Sequence, residues 1–314
     1  MNVVAVMRLL NEDDVIEANI RHHLAHLDRI IILDDGSADR TLGIIEDMIQ
    51  EGLAITLIEK PCIVSSERER NTFLYNTACR DFDADWVFFI DADEFIDMRG
   101  RVEGFSNFIK TVPPNFESIL LPIRNYMDTI FDKTEERVVP QRMIWRTIEN
   151  IGVLKVAVRG KIPGNIQISE GNHTAYRDGI ELHAFGGSNL CIAHYPRRSG
   201  WQDIYKWIIM RLKITAAGQR EVTKGTGSHY IEPLRILMND PNRIINDKGF
   251  FERTPNSDYT MDMMKYDGGD LKYTEDADYK AKCIKLVLEY SFSLARAFGQ
   301  EMDENEQFRN RILA

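Results

Sequence analysis

The sequence lacks most of the features that assign a protein to a class at once. It has four cysteines in 314 residues, Cys62, Cys79, Cys191 and Cys283, and none forms a CxxC pair. That spacing excludes a zinc ribbon or a disulfide scaffold and predicts reduced, buried thiols. No apolar run approaches the roughly 20 residues needed to span a bilayer. Met1 to Met7 is too short, and too poor in basic residues, to read as a secretory leader. A cytoplasmic location is therefore expected, with attachment to the inner face of a membrane left open. Positive charge is also scarce. The net charge is −10 and the pI is near 5.3, whereas nucleic-acid binding needs a basic footprint. Neither a GxGxxG fingerprint nor a Walker loop is present, and Gly36 is the lone glycine beside a candidate phosphate turn. No repeat or low-complexity tract stands out.

What is present is alternation. Val3 to Met7 reads as a buried strand, and Asn11 to Leu27 reads as a helix with Val15, Ile16, Ile20, Leu24 and Leu27 on its apolar stripe. Arg29 to Leu33, Leu53 to Ile58 and Trp86 to Ile90 are further strands. Helices at Thr41 to Glu51 and Glu67 to Cys79 lie between them. This βαβα order predicts an α/β fold with a mostly parallel sheet flanked by helices. Beyond residue 100 the pattern loosens. Ser118 to Arg124 and Gln141 to Trp145 look like strands, and residues 150 to 190 look like loops with small strands. Trp201 to Ala217 and Tyr279 to Phe298 are amphipathic helices, while residues 218 to 276 show no readable organisation.

The strand ends carry the chemistry. Arg8, Asn11 and Glu12 follow the first strand, Asp34-Asp35 the second, and Asp91-Ala92-Asp93 the fourth. Carboxylates at the end of a dry strand are costly unless paired or metal-bound, and ligands of open α/β sheets bind at that edge. Three such clusters on one edge point to a divalent cation and a phosphorylated ligand. A basic turn, His194-Tyr195-Pro196-Arg197-Arg198-Ser199, then leads into a helix N-terminus suited to a diphosphate. His22, His23 and His26 share a helix but lack an HExxH pattern, so they read as a solvated face. Trp145, Trp201 and Trp207 read as packing residues.

Three segments together, Val6-Met7-Arg8-Leu9-Leu10-Asn11-Glu12, Ile32-Leu33-Asp34-Asp35-Gly36-Ser37-Ala38-Asp39-Arg40-Thr41 and Phe89-Ile90-Asp91-Ala92-Asp93-Glu94-Phe95, resemble the family 2-like nucleotide-sugar glycosyltransferases of the GT-A fold. The resemblance is good over residues 1 to 100, patchier from 165 to 210 and absent beyond 220. It implies a GT-A domain over 1–215, with a nucleotide-binding half at 1–100 and an acceptor half at 101–215. A mainly helical extension would fill 216–314. It also implies nucleotide contacts from Arg8, Asn11, Asp35, Arg70, Asp91, Arg197, Arg198 and Ser199. Asp91, Asp93 and His194 would be metal ligands for Mn²⁺ or Mg²⁺, with Glu94 a local structural carboxylate. Asp93, Glu170, His173 and Asp178 would be the catalytic candidates. Of these, Glu170 or Asp178 would be the base of an inverting enzyme, with His173 beside it. The usual Glu-Asp base motif is missing, which leaves inversion or retention open.

The activity implied is a metal-dependent, hexosyltransferase-type transfer. It would move a sugar from a nucleoside-diphosphate sugar to a glycan or lipid-linked acceptor, in surface polysaccharide or glycoconjugate synthesis. Nucleic acid is not an expected partner, and a homo-oligomer is left open. Two alternatives stand beside it. A sugar nucleotidyltransferase would carry a Gly-rich N-terminal loop, which is lacking. A non-catalytic nucleotide-sugar-binding module could use the same fold.

Overall fold

The computed structural model describes residues 1–64, 67–98, 104–149, 152–186, 190–223, 225 and 227–313. The first part of the chain runs β1 (Val3–Leu9), α1 (Ile16–Leu24), β2 (Arg29–Asp34), α2 (Thr41–Gln50), β3 (Ile55–Glu59), α3 (Glu67–Phe82), β4 (Trp86–Phe89) and β5 (Glu94–Asp97). Next come α4 (Gly104–Thr111), β6 (Ser118–Met127), α5 (Val139–Arg142), β7 (Trp145–Thr147), β8 (Leu154–Arg159) and β9 (Ile166–Ile168). Short strands β10 (Ala175–Arg177), β11 (Ile180–Glu181) and β12 (Ala184–Phe185) precede β13 (Cys191–His194). The remainder is α6 (Gly200–Ala216), α7 (Gln219–Thr223), α8 (Ile231–Asn239), α9 (Asn242–Ile245), α10 (Lys248–Phe251), β14 (Tyr259–Met261), α11 (Tyr279–Glu304) and α12 (Glu306–Leu313).

The principal sheet has the order β14-β7-β6-β8-β4-β1-β2-β3. β3, β2, β1 and β4 are parallel, and β8 joins antiparallel between β4 and β6. β13 pairs parallel with β6 and antiparallel with β5. This is the mostly parallel, helix-flanked sheet that the sequence predicts. Both faces are dry at its centre, on β1 and β4. On β1, Val3, Ala5, Met7 and Leu9 enter one core cluster, while Val4 and Val6 enter the other. A period of two with both sets apolar is what a strand covered on both sides requires.

The first helix is shorter than its hydrophobic pattern suggests. Asn11 adopts φ 61°, and the backbone before Ile16 is a turn in which the amides of Val15 and Ile16 donate to the Glu12 carbonyl. Asn11 to Asp14 form a loop against the β2–α2 connection, so α1 starts only at Ile16. Residues 218 to 276, unreadable in the sequence, hold α7, α8, α9, α10 and β14.

The chain divides into two compact units. The first comprises Met1–Pro61, Ser66–Arg198 and Lys248–Asp276, and contains the sheet. The second comprises Cys62–Ser65, Ser199–Asp247 and Ala277–Ala314, and is helical. In it α6 packs on α11, and Tyr290 Oη donates to the Ile63 carbonyl at 2.6 Å. Among the described residues no helix is long and apolar enough to cross a membrane.

Candidate active site

The carboxyl ends of β1, β2 and β4 lie side by side because these strands are adjacent and parallel, with Leu9 level with Asp34 and Val6 level with Phe89. Asp34 and Asp35, though neighbours, do different work. Asp34 accepts from the Gly36 and Ser37 amides and from Ser37 Oγ, an Asx-type cap that shapes the turn. Gly36 sits there at φ +104°, a conformation L side chains rarely adopt. Asp35 instead lies between two arginines. Arg8 Nη1 reaches Oδ2 at 2.8 Å, and Arg70 Nη1 reaches Oδ1 at 2.8 Å. Arg8 also faces Glu67 at 3.3 Å, and its side chain is the most open of the trio at 20% exposed.

At the end of β4 the two aspartates diverge. Asp93 Oδ1 faces His194 Nε2 at 3.6 Å. His194 Nδ1 donates to Asn125 Oδ1 at 2.9 Å, which turns Nε2 toward Asp93. Two ligands of one octahedral cation with bonds of about 2.1 Å stand about 3 to 4.2 Å apart. The pair therefore fits a shared divalent ion. Asp91 does not join them. Its Oδ2 is 2.5 Å from Lys155 Nζ, and that ammonium also lies 3.2 Å from Glu94 Oε1. Glu94, with a side chain 1% exposed, accepts the Asp91 amide at 3.0 Å. Its burial pushes its pKa up to about 8 despite Lys155, with Asp91 and Asp93 adding to the rise. Of the three expected metal ligands, Asp93 and His194 face each other, whereas Asp91 is paired with a buried lysine that spacing alone could not reveal.

Four expected nucleotide contacts have internal roles. Arg198 is fully enclosed. Its Nε and Nη2 bind the Asp14 carboxylate, Nη2 also binds Glu12, and Nη1 faces Asp93 Oδ2 at 3.7 Å. A guanidinium ringed by three carboxylates cannot also grip a phosphate, and it ties the loop after β1 to Asp93. Arg197 pairs with Asp128 at 3.0 Å, donates to the Phe250 carbonyl and lies over the Phe250 ring at 4.3 Å. Asn11 accepts the Ala38 amide on its side-chain oxygen at 2.8 Å, and its own amide donates to Ser37 Oγ. Ser199 opens the second unit, where its Oγ accepts the Trp201 amide and caps α6.

The candidate bases separate as well. Glu170 begins a 3-10 turn, Glu170–Asn172, followed by His173, whose Nδ1 donates to the Leu154 carbonyl at 2.7 Å. Leu154 begins β8 beside Lys155, so this turn lies at the Asp91 end of the sheet. Gly171 sits at φ +70°, and a Cβ there would lie 2.2 Å from His173 Nε2. Asp178 lies at the other end. It accepts the Asn165 amide, and its neighbour Arg177 pairs with Glu117, whose carbonyl receives the Arg159 amide. Arg159 is level with Trp86, the start of β4. The length of β8, roughly 16 Å at ~3.3 Å per residue, separates Asp178 from the aspartate cluster and removes it as a base.

Sequence reasoning also missed what holds the Asp91–Glu94 turn. Asn19 of α1 donates its side-chain amide to the carbonyls of Asp91, Ala92 and Glu94, at 3.3, 3.0 and 2.6 Å. His23 Nε2 accepts the Ile96 amide, and His22 Nε2 donates to the Ile96 carbonyl. His22 and His23 are fully buried, which corrects their reading as a solvated face. His22, His26 and Asp267 bring ligand atoms within 4.8 Å of one another. Both ring nitrogens of His22 are occupied, however, since Nδ1 accepts the Asp267 amide, so this cluster does not make a metal site.

Residues 5–168, more than half of the chain, match the family described as Glycosyl transferase family 2. No curated relative matches. Among solved structures, TarS from S. aureus is similar at 14% identity and a TM-score of 0.39, over 81% of this chain and 44% of that one. The chain therefore spans under half the length of TarS. The TarS 1-349 structure in complex with UDP matches at 14% and 0.39, over 80% and 74%. The mannosyltransferase PcManGT from Pyrobaculum calidifontis, in complex with GDP-Man and Mn²⁺, matches at 17% and 0.37, over 69% and 64%.

Proposed function

The chain belongs to glycosyl transferase family 2, and from that membership we propose that it moves a hexose from a nucleoside-diphosphate sugar to a hydroxyl of a glycan or lipid-linked acceptor. The observation that carries the metal dependence of this reading is the convergence of Asp93 Oδ1 and His194 Nε2 at 3.6 Å. A carboxylate and an imidazole suit Mn²⁺ or Mg²⁺, with the donor's phosphate oxygens completing the shell. Such an ion neutralises the charge that grows on the departing diphosphate.

The protein's own residues do the rest. Asp35, Arg8 and Arg70 form the wall against which the nucleobase rests, with Arg8 as its accessible member. Lys155 holds one oxygen of Asp91 and leaves the other for the ribose or a bound water. His173, with Nδ1 committed to Leu154, carries its basic lone pair on Nε2. It is our first candidate to take the acceptor's proton, and Glu170 is the second. Residues 101–198 supply the acceptor side.

Calorimetry with UDP and GDP, with and without Mn²⁺, tests the site. Wild type is expected to bind one of them with a strong Mn²⁺ dependence. Asp93→Ala and His194→Ala are each expected to lose that dependence by about tenfold or more while still unfolding cooperatively. Unchanged affinity in both variants overturns the assignment.

A further inference from the structure

The second unit carries a feature that sugar transfer does not use. α11 packs on α6, with Lys280 over the Trp201 ring and Lys282 over the Tyr205 ring, and its buried residues are Cys283 and Leu286. Its opposite side is apolar and open. Ile284, Leu288 and Phe292 are 56%, 54% and 60% exposed, and Ala281 and Ala295 are exposed beside them. At 100° per residue these five fall within an arc of about 80° that is centred away from Leu286. An apolar seam on a helix already packed by its other face needs a second surface to cover it.

The order of side chains along the seam identifies that surface. Leu288 is central. Four residues away on either side stand the large Ile284 and Phe292, and seven away stand the small Ala281 and Ala295. The seam therefore reads alike in both directions, which is the self-complementarity that a two-fold axis demands. With the axis at Leu288, Ile284 meets Phe292 of a second copy, and Ala281 meets Ala295. The rim agrees in charge. Lys285 and Glu289 are exposed on the same flank, and antiparallel pairing sets Lys285 of each copy against Glu289 of the other. The seam closes at its C-terminal end, where Phe298 packs against Phe308 of α12 with ring centroids 5.4 Å apart. A lipid surface would be the other natural cover, but Glu301, Asp303 and Glu304 end the helix, and acidic residues oppose anionic headgroups. We propose that α11 is the seam of an antiparallel homodimer with Leu288 on its two-fold axis.

Sedimentation of the full chain reads the mass directly, and a dimer is expected. Leu288→Glu should give a folded monomer with unchanged nucleotide affinity, its melting temperature lower only by the loss of association. Glu289→Lys should raise the dissociation constant by about tenfold, and adding Lys285→Glu should restore it, since the pair is only reversed. Leu288→Cys should cross-link to itself on mild oxidation. Ile284→Cys should cross-link only when mixed with Phe292→Cys. A chain that stays monomeric at every soluble concentration overturns the proposal, and so does a dimer that survives Leu288→Glu. Loss of binding to phosphatidylglycerol vesicles in Leu288→Glu, without a change in mass, would assign the seam to lipid instead.

Discussion

Arg198 and Asp93 lie in different segments of sequence, and each could suit a phosphorylated ligand. The fold separates them. Asp93 keeps one oxygen toward His194. Arg198 is enclosed by carboxylates 184 and 186 residues earlier in the chain. A local reading sees a basic turn before a helix and cannot see partners at that distance. Lys155 was invisible for the same reason, because its partners arrive from a different strand. Asp34 and Asp35 were legible as a pair, but their division of labour rests on which oxygen meets a backbone amide and which meets an arginine. The internal role of Arg198 has a measurable consequence. Arg198→Leu leaves Glu12, Asp14 and Asp93 without their buried counter-charge, and breaking such an arrangement costs about 3–5 kcal/mol. Urea denaturation should show that loss. If Arg198 instead grips phosphate, the variant would keep its stability and lose nucleotide affinity.

The α1 helix shows how a correct element can hide a misread face. Its apolar stripe predicts a helix packed on the sheet, and it is one. The stripe does not show that the remaining face is also covered, with its polar groups bonded to the Asp91–Ile96 backbone. Buried histidines with satisfied rings must be neutral, and burial lowers the His22 pKa from the ordinary 6.5 to about 4. His23 shifts the same way, by burial and by its neighbours His22 and His26. Lys265 and His26 face His22 as like charges and Asp267 as an opposite one. The unfolded chain thus binds protons below pH 6.5 that the folded chain refuses until about pH 4. Stability rises with pH across that window and is complete above it. A shift of this size corresponds to about 3 kcal/mol lost between pH 7 and pH 4 from His22 alone. Urea midpoints measured at half-unit steps should follow this slope. His22→Gln should flatten it by about one proton, and an unaltered slope in that variant would refute the account.

At the scale of the whole molecule, the parallel, helix-flanked sheet is the part the sequence displays best, because alternation of β and α elements leaves few topologies. Residues 262–276 are the opposite case. They have no periodicity of their own and take their shape from α1 and its surroundings. The Asp267 amide donates to His22 Nδ1, and Tyr266 stacks on the His22 ring. Gly268 must lack a side chain, since a Cβ would lie 2.3 Å from Tyr266 Oη and 2.8 Å from the His22 amide nitrogen. The main fastening is Glu17. Its buried carboxylate accepts the amides of Lys272, Tyr273 and Thr274, at 2.7, 2.9 and 2.7 Å, and Thr274 Oγ1 at 2.9 Å. Burial alone would raise its pKa, but these donors outweigh burial and hold it below the usual carboxylate value. Hydrogen bonds to a buried charge are worth about 1.5–3 kcal/mol, yet those of one carboxylate do not add. Glu17→Ala should therefore weaken this segment's attachment by about 2–3 kcal/mol, and Glu17→Gln by less. Native-state hydrogen exchange is the direct readout. The amides of Lys272, Tyr273 and Thr274 should exchange about 30- to 150-fold faster in Glu17→Ala. Those of β1 and β4 should change little, because opening this segment leaves the sheet intact. Equal acceleration throughout the sheet would instead make Glu17 a support of the whole core. No acceleration would mean that the segment's other contacts hold it, among them those of His22 with Asp267 and of Glu51 with Lys272 and Tyr273.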